Sequence, residues 1–109
     1  MRPCVVNNNL YHGKQVMNDD LREVLIILQE ECGEVVQEVC KIMRYGPDQC
    51  KPNSDETNIQ ALAKEVGDLL AMVELLVDLN VGVDNEMLSQ AKINKFKKLS
   101  QWSNLKINK

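Results

Sequence analysis

Three stretches of this chain repeat apolar residues every three or four positions, the spacing that lines one face of a helix. The first runs from Asp20 to about Tyr45, with Leu21, Val24, Leu28, Val35, Val39 and Ile42 in one stripe. Asn18-Asp19-Asp20 offers capping oxygens at its start, and Glu23, three residues after Asp20, completes a possible capping box. At the other end Lys41 and Arg44 suit the helix dipole, Gly46 is a natural residue beyond the last turn, and Pro47 blocks continuation.

Residues 46–56, with two prolines and no periodicity, read as a linker. A second helix opens on Thr57, which with Gln60 makes another capping box, and runs to about Asn80, with Gly82 closing it. It carries two seams. Ile59, Leu62, Val66, Leu69, Val73 and Leu76 form one, and Ala61, Glu65, Asp68, Met72, Leu75 and Leu79 form the other. From Leu69 to Leu79 only Glu74 and Asp78 interrupt the apolar surface. A helix that is apolar on two faces needs more partners than one small subunit supplies, which implies a homo-oligomer, a dimer or a tetramer. Asp84 caps a third helix, from about Asn85 to Leu99, in which Met87, Leu88, Ala91 and Phe96 alternate with Lys92, Lys95, Lys97 and Lys98. The expected fold is all-α: two long antiparallel helices plus a basic third, completed by oligomerisation. Residues 1–17 read as an irregular N-terminal arm, 18–99 as one helical domain and 100–109 as a C-terminal tail.

Composition narrows the class. A chain of 109 residues is one domain, and with aromatics at only 4% its core must be aliphatic, which suits helix-on-helix packing. A net charge of −3 argues against binding a nucleic-acid polymer. No apolar run reaches the roughly 20 residues of a membrane span, and the first residues lack the apolar core of a signal peptide. The cysteines, Cys4, Cys32, Cys40 and Cys50, show no metal-ligand spacing. They read as reduced thiols of a cytoplasmic protein, or of a host's cytoplasm if the chain is viral.

The chemistry lies where the periodicity is broken. Glu31 interrupts the stripe of the first helix with Glu34 one turn on, and Glu65 and Asp68 sit together in a seam of the second. Carboxylates avoid such faces unless they are paired. Packing the two helices together assembles four of them, and each like-charge pair at about 4 Å costs on the order of 4 kcal/mol at an effective dielectric of 20. Either they take up protons or a cation neutralises them. An all-oxygen donor set selects a hard ion, Mg²⁺ first and Mn²⁺ as a substitute. Di-iron bundles use Glu-x-x-His, and the one histidine here, His12, lies outside both helices. Mg²⁺ held by carboxylates recruits substrate phosphates, and Lys92, Lys95 and Lys98 share a helix face that would complement them. A solvated lysine face is the alternative reading of the same residues.

Glu30-Glu31-Cys32-Gly33-Glu34 followed by Glu65-Val66-Gly67-Asp68 resembles the EExxE…ExxD signature of the MazG-like all-α nucleoside triphosphate pyrophosphohydrolases. The resemblance covers about residues 20–99, with Lys95-Phe96-Lys97-Lys98 similar to the family's third element. It implies a Mg²⁺-dependent enzyme that splits a (deoxy)nucleoside triphosphate into the monophosphate and pyrophosphate, with 18–99 as the catalytic domain. Glu31, Glu34, Glu65 and Asp68 would hold the metal, Glu30 would orient or deprotonate the attacking water, and Lys95, Lys92 and Lys98 would grip phosphate oxygens. The 46–56 loop is longer than in compact members. Phosphoribosyl-ATP hydrolysis and a non-enzymatic helical oligomer with structural metal are the other readings. The Asn7–His12 arm and Trp102 are the candidates for base contacts.

Overall fold

The computed structural model describes residues 17–109, and the N-terminal arm with His12 lies outside them. The described residues form three helices: α1 (Asp19–Tyr45), α2 (Asn58–Asp78) and α3 (Asn85–Trp102). The all-α expectation holds. Of the three residues offered as caps, Asn18 is the N-cap, its side chain accepting from the backbone N–H groups of Asp20 and Leu21 at 2.8 and 3.2 Å, so Asp20 lies inside the helix and does not open a capping box with Glu23. Asp19 and Asp20 then lie in the first turn, where they face the positive end of the helix dipole. The Thr57–Gln60 capping box forms as expected, each side chain bonding the other residue's backbone N–H. Asp84 caps α3 by accepting from Met87 N at 2.8 Å. α3 continues to Trp102, past the expected end at Leu99, so the indole belongs to the last turn and is 84% exposed.

α1 and α2 pack antiparallel along one seam, and theirs is the extensive helix–helix interface of the chain. Two residues of the second seam of α2, Ala61 and Met72, form its most buried apolar points. Ala61 lets the backbones approach near the loop end, and Met72 fills the seam two turns beyond Glu65. The turn between the helices is stitched rather than loose. Gly46, at φ 91°, donates to Ile42 O at 2.7 Å and turns the chain in a region open chiefly to glycine. Asn58 then closes the loop twice, its backbone N–H donating to Gln49 O at 2.9 Å and its buried side-chain amide to Gly46 O at 3.0 Å. Cys50 and Thr57 form an isolated antiparallel bridge across it.

α3 is placed differently. It leans its Leu88–Lys92 side on the Leu70–Asp78 flank of α2 across a cleft of about 300 Å³, and its opposite side is exposed. The radius of gyration, 18.2 Å, is well above the roughly 12–13 Å of a closed domain this size. Much apolar surface stays open as a result, including Val36 and Met43 on α1 and Leu70 on α2. Cys32, Cys40 and Cys50 are free and exposed. Among the described residues no helix is long and apolar enough to cross a membrane.

Candidate metal centre

The seam brings three of the expected carboxylates together. Oxygens of Glu31, Glu65 and Asp68 lie within 4.8 Å of one another, with Glu31 and Glu65 half-buried and Asp68 exposed. The reason is helical spacing. Glu65 and Asp68 are one turn apart on the face of α2 that turns toward α1, and Glu31 occupies the centre of the facing stripe. Glu34, one turn further along α1, is exposed and stands outside this close group, as does Glu30. Both still act on Glu31 through their charge. Its carboxyl pKa is held above the ordinary value, first by desolvation and then by Asp68, Glu65, Glu34 and Glu30 in that order.

Among the described residues no ion pair within 4.0 Å reaches this end of the seam. The ion pairs among the described residues join Lys41 and Lys51 to Glu38, and Lys51 and Lys64 to Glu56. None involves Glu31, Glu65 or Asp68. Three convergent carboxylates with no ammonium partner and one raised pKa fit a hard divalent cation, since all the donors are anionic oxygen.

The expected phosphate lysines are not part of this group. Lys92 turns toward the α2 flank, in the cleft shared with Glu74 and Asp78. Lys95 and Lys98 are exposed on α3, and no ion pair within 4.0 Å ties them to the hairpin. An ammonium that does feel the charge of Glu65 belongs to Lys51, which the sequence reading left in the linker. It pairs with Glu56 at 3.2 Å and Glu38 at 4.0 Å, and the field of Glu65 also reaches it. Hydrogen bonding to Glu56 is the main reason its pKa is raised.

Glu38 was also missed. It is buried, at 4% exposure, where the stripe reading placed Val39, which is exposed at 42%. A signal was present: Glu38 follows Glu31 by seven residues, two helical turns, so it shares the acid-bearing face. Its Oε1 accepts from Lys41 at 3.2 Å, while its Oε2 is buried without a partner.

The family model of the MazG nucleotide pyrophosphohydrolase domain matches residues 20–102, which contain all three helices apart from the first residue of α1. The chain belongs to this family. No curated protein and no solved structure matched it. A MazG domain is all-helical, in agreement with α1–α3, and membership makes the chain a nucleotide pyrophosphohydrolase in general type, of a family that typically uses a divalent metal.

Proposed function

We propose that this MazG domain hydrolyses (deoxy)nucleoside triphosphates to the monophosphate and pyrophosphate with Mg²⁺, Mn²⁺ serving as a substitute, and so cleanses or adjusts the nucleotide pool. The observation that carries this reading is the convergence of Glu31, Glu65 and Asp68, none of which forms an ion pair within 4.0 Å among the described residues. Those three carboxylates would hold the ion, and Glu34, one turn along α1, is assigned as a fourth ligand. A bound Mg²⁺ would polarise the phosphoryl group and lower the pKa of a coordinated water. Glu30, adjacent to Glu31 in the chain, is assigned to the attacking water. The half-buried seam limits water around the site and strengthens each charge interaction within it. Lys92, Lys95 and Lys98 are assigned to substrate phosphates, and the open apolar faces of α1 and α2 to a homo-oligomer.

The test is a panel of NTPs and dNTPs incubated with Mg²⁺, with pyrophosphate and orthophosphate assayed separately. Pyrophosphate release that requires Mg²⁺ and disappears in Glu65→Gln is the expected result. Release of orthophosphate alone, or activity that survives Glu65→Gln and Asp68→Asn, overturns the assignment.

A further inference from the structure

The carboxylate centre stands at one end of a seam whose other end opens into a cavity. On α1 the residues Glu31, Glu34, Glu38, Lys41 and Tyr45 step by three and four, so they run down one face. On α2 Asp68, Glu65, Ala61 and Asn58 step back in the same way. Glu38 and Ala61, at 4% and 2% exposure, close the seam between its two ends. Beyond them lies a cavity of about 580 Å³, with Lys41, Tyr45, Gln49, Lys51, Pro52 and Asn58 in its walls. Lys41 follows Glu31 by ten residues and Asn58 precedes Glu65 by seven, which sets the cavity about 10–15 Å from the carboxylates along the helix axes. That is the scale of a sugar and its base extended from a phosphate held at the centre.

The walls combine flat apolar surface with hydrogen-bond donors. The rings of Tyr45, 58% exposed, and Pro52 offer the surface. Lys41 and Lys51 are half-buried, and an ammonium carries three N–H donors and no acceptor. Lys41 gives one donor to Glu38 Oε1 at 3.2 Å, and Lys51 pairs with Glu56 at 3.2 Å, so each keeps further N–H groups for a ligand. Their network joins Lys41, Lys51 and Lys64 to Glu38 and Glu56, three positive charges to two negative, which leaves one positive charge over. Glu38 itself is turned to its lysines and is not a wall of the cavity. The Asn58 amide donates to Gly46 O at 3.0 Å, and Gln49 can present either end of its amide. The fixed polar wall therefore donates, and a flat ring that fits against it must offer acceptors.

We infer that Lys41 and Lys51 set the base preference of this chain, selecting nucleotides whose base carries a ring carbonyl where cytosine and adenine carry an amino group. With the phosphates at Glu31, Glu65 and Asp68, the base stacks on Tyr45. The two ammonium groups then donate to the carbonyl at C4 of uracil or thymine, or at C6 of guanine or hypoxanthine. An exocyclic amino group in that place sets N–H against N–H and leaves the ammonium groups without an acceptor. Trp102 is not among the walls of the cavity. The inference rests on the pyrophosphohydrolase reading for where the phosphates lie, but not for the preference between bases.

Two pairs of monophosphates isolate the exchanged group: dUMP with dCMP, and dIMP with dAMP. Titration calorimetry of the full chain with each of the four in Mg²⁺ reads binding with no hydrolysis. The carbonyl-bearing member of each pair is expected to bind about tenfold more tightly, the worth of one hydrogen bond to a charged donor. Lys41→Met should bring the members of each pair to equal affinity. It leaves Glu38 with Lys51 as a partner, and circular dichroism checks that the helices survive. Tyr45→Ala should weaken all four about tenfold and keep the preference, since stacking is blind to the exchanged group. A variant that merely disturbs the loop would lower all four alike without closing the gap within a pair. Equal affinities in the parent chain, tighter dCMP and dAMP, or a preference that survives Lys41→Met combined with Lys51→Met overturns the inference. In the hydrolysis assay the same order is expected in kcat/KM for dUTP over dCTP. Ordered binding without pyrophosphate release supports the base preference and overturns the enzymatic reading, so the two fail separately.

Discussion

Two carboxylate clusters occupy the same helix seam, and they are treated in opposite ways. At the loop end Glu38 is buried and tied to Lys41 and Lys51, with Glu56 and Lys64 continuing the network. Two turns away Glu31 meets Glu65 and Asp68, and no ion pair within 4.0 Å among the described residues involves them. The first cluster is neutralised by lysines of the chain itself, although Oε2 of Glu38 is left without a partner. The second gathers like charges, which raise the Glu31 pKa and which a metal would relieve. A buried acid therefore carries little functional meaning until its counter-charge has been located.

The sharpest way to break this contrast is substitution at each cluster. Glu65→Gln or Asp68→Asn should reduce Mg²⁺-dependent hydrolysis by more than about 100-fold, the upper end for loss of an outer-shell partner of a metal site. Glu38→Gln should change it by only a few fold in the same pyrophosphate assay. Equal losses at the two sites would erase the distinction. Removal of metal comes next. With Mg²⁺ at about 100 times its dissociation constant the folded state should gain about 2.7 kcal/mol, seen as a rise in Tm that Glu65→Gln abolishes.

A smaller effect is expected from the balanced cluster. Glu38→Ala should destabilise the chain by about 1–3 kcal/mol, since it leaves a void and removes the anion paired with Lys41. Glu38→Leu should recover most of that loss, because an apolar residue of similar size carries no unpartnered oxygen. Urea unfolding measures both. The smallest effect concerns pH. The raised Glu31 pKa means that the folded state binds this proton more tightly than the unfolded one. Its contribution is therefore most favourable at low pH and is lost as pH rises from the unfolded value through the higher folded one. Without metal, Glu31→Gln should flatten that part of the stability profile, and at neutral pH its Tm should exceed that of the parent chain.

The helices were legible because their caps and periods agree: Thr57 with Gln60, Asp84 and Gly46 all act where the sequence put them. Glu31, Glu65 and Asp68 were legible because acids at helical spacing on an apolar face have few other uses. Three features were not. Asn18 and Asp20 are equally good caps by residue type, and only backbone geometry chose the former. Glu38 was hidden by Val39, since a stripe drawn through apolar residues steps past an acid one position away. Lys51 depends on how the loop folds back through Asn58, Gly46 and Gln49, and no periodicity encodes that. The arm that holds Asn7 and His12 lies outside the described residues, so its assignment to the base rests on sequence alone.

The stitched loop after Gly46 has a consequence for how change can accumulate in this chain. Lys51 reaches Glu38 and Glu56 from a turn held at both ends by Asn58, so residues 52–55 project as a small exposed platform with a fixed base. Insertions or exchanges there would alter what the molecule presents to its surroundings without shifting the seam beneath.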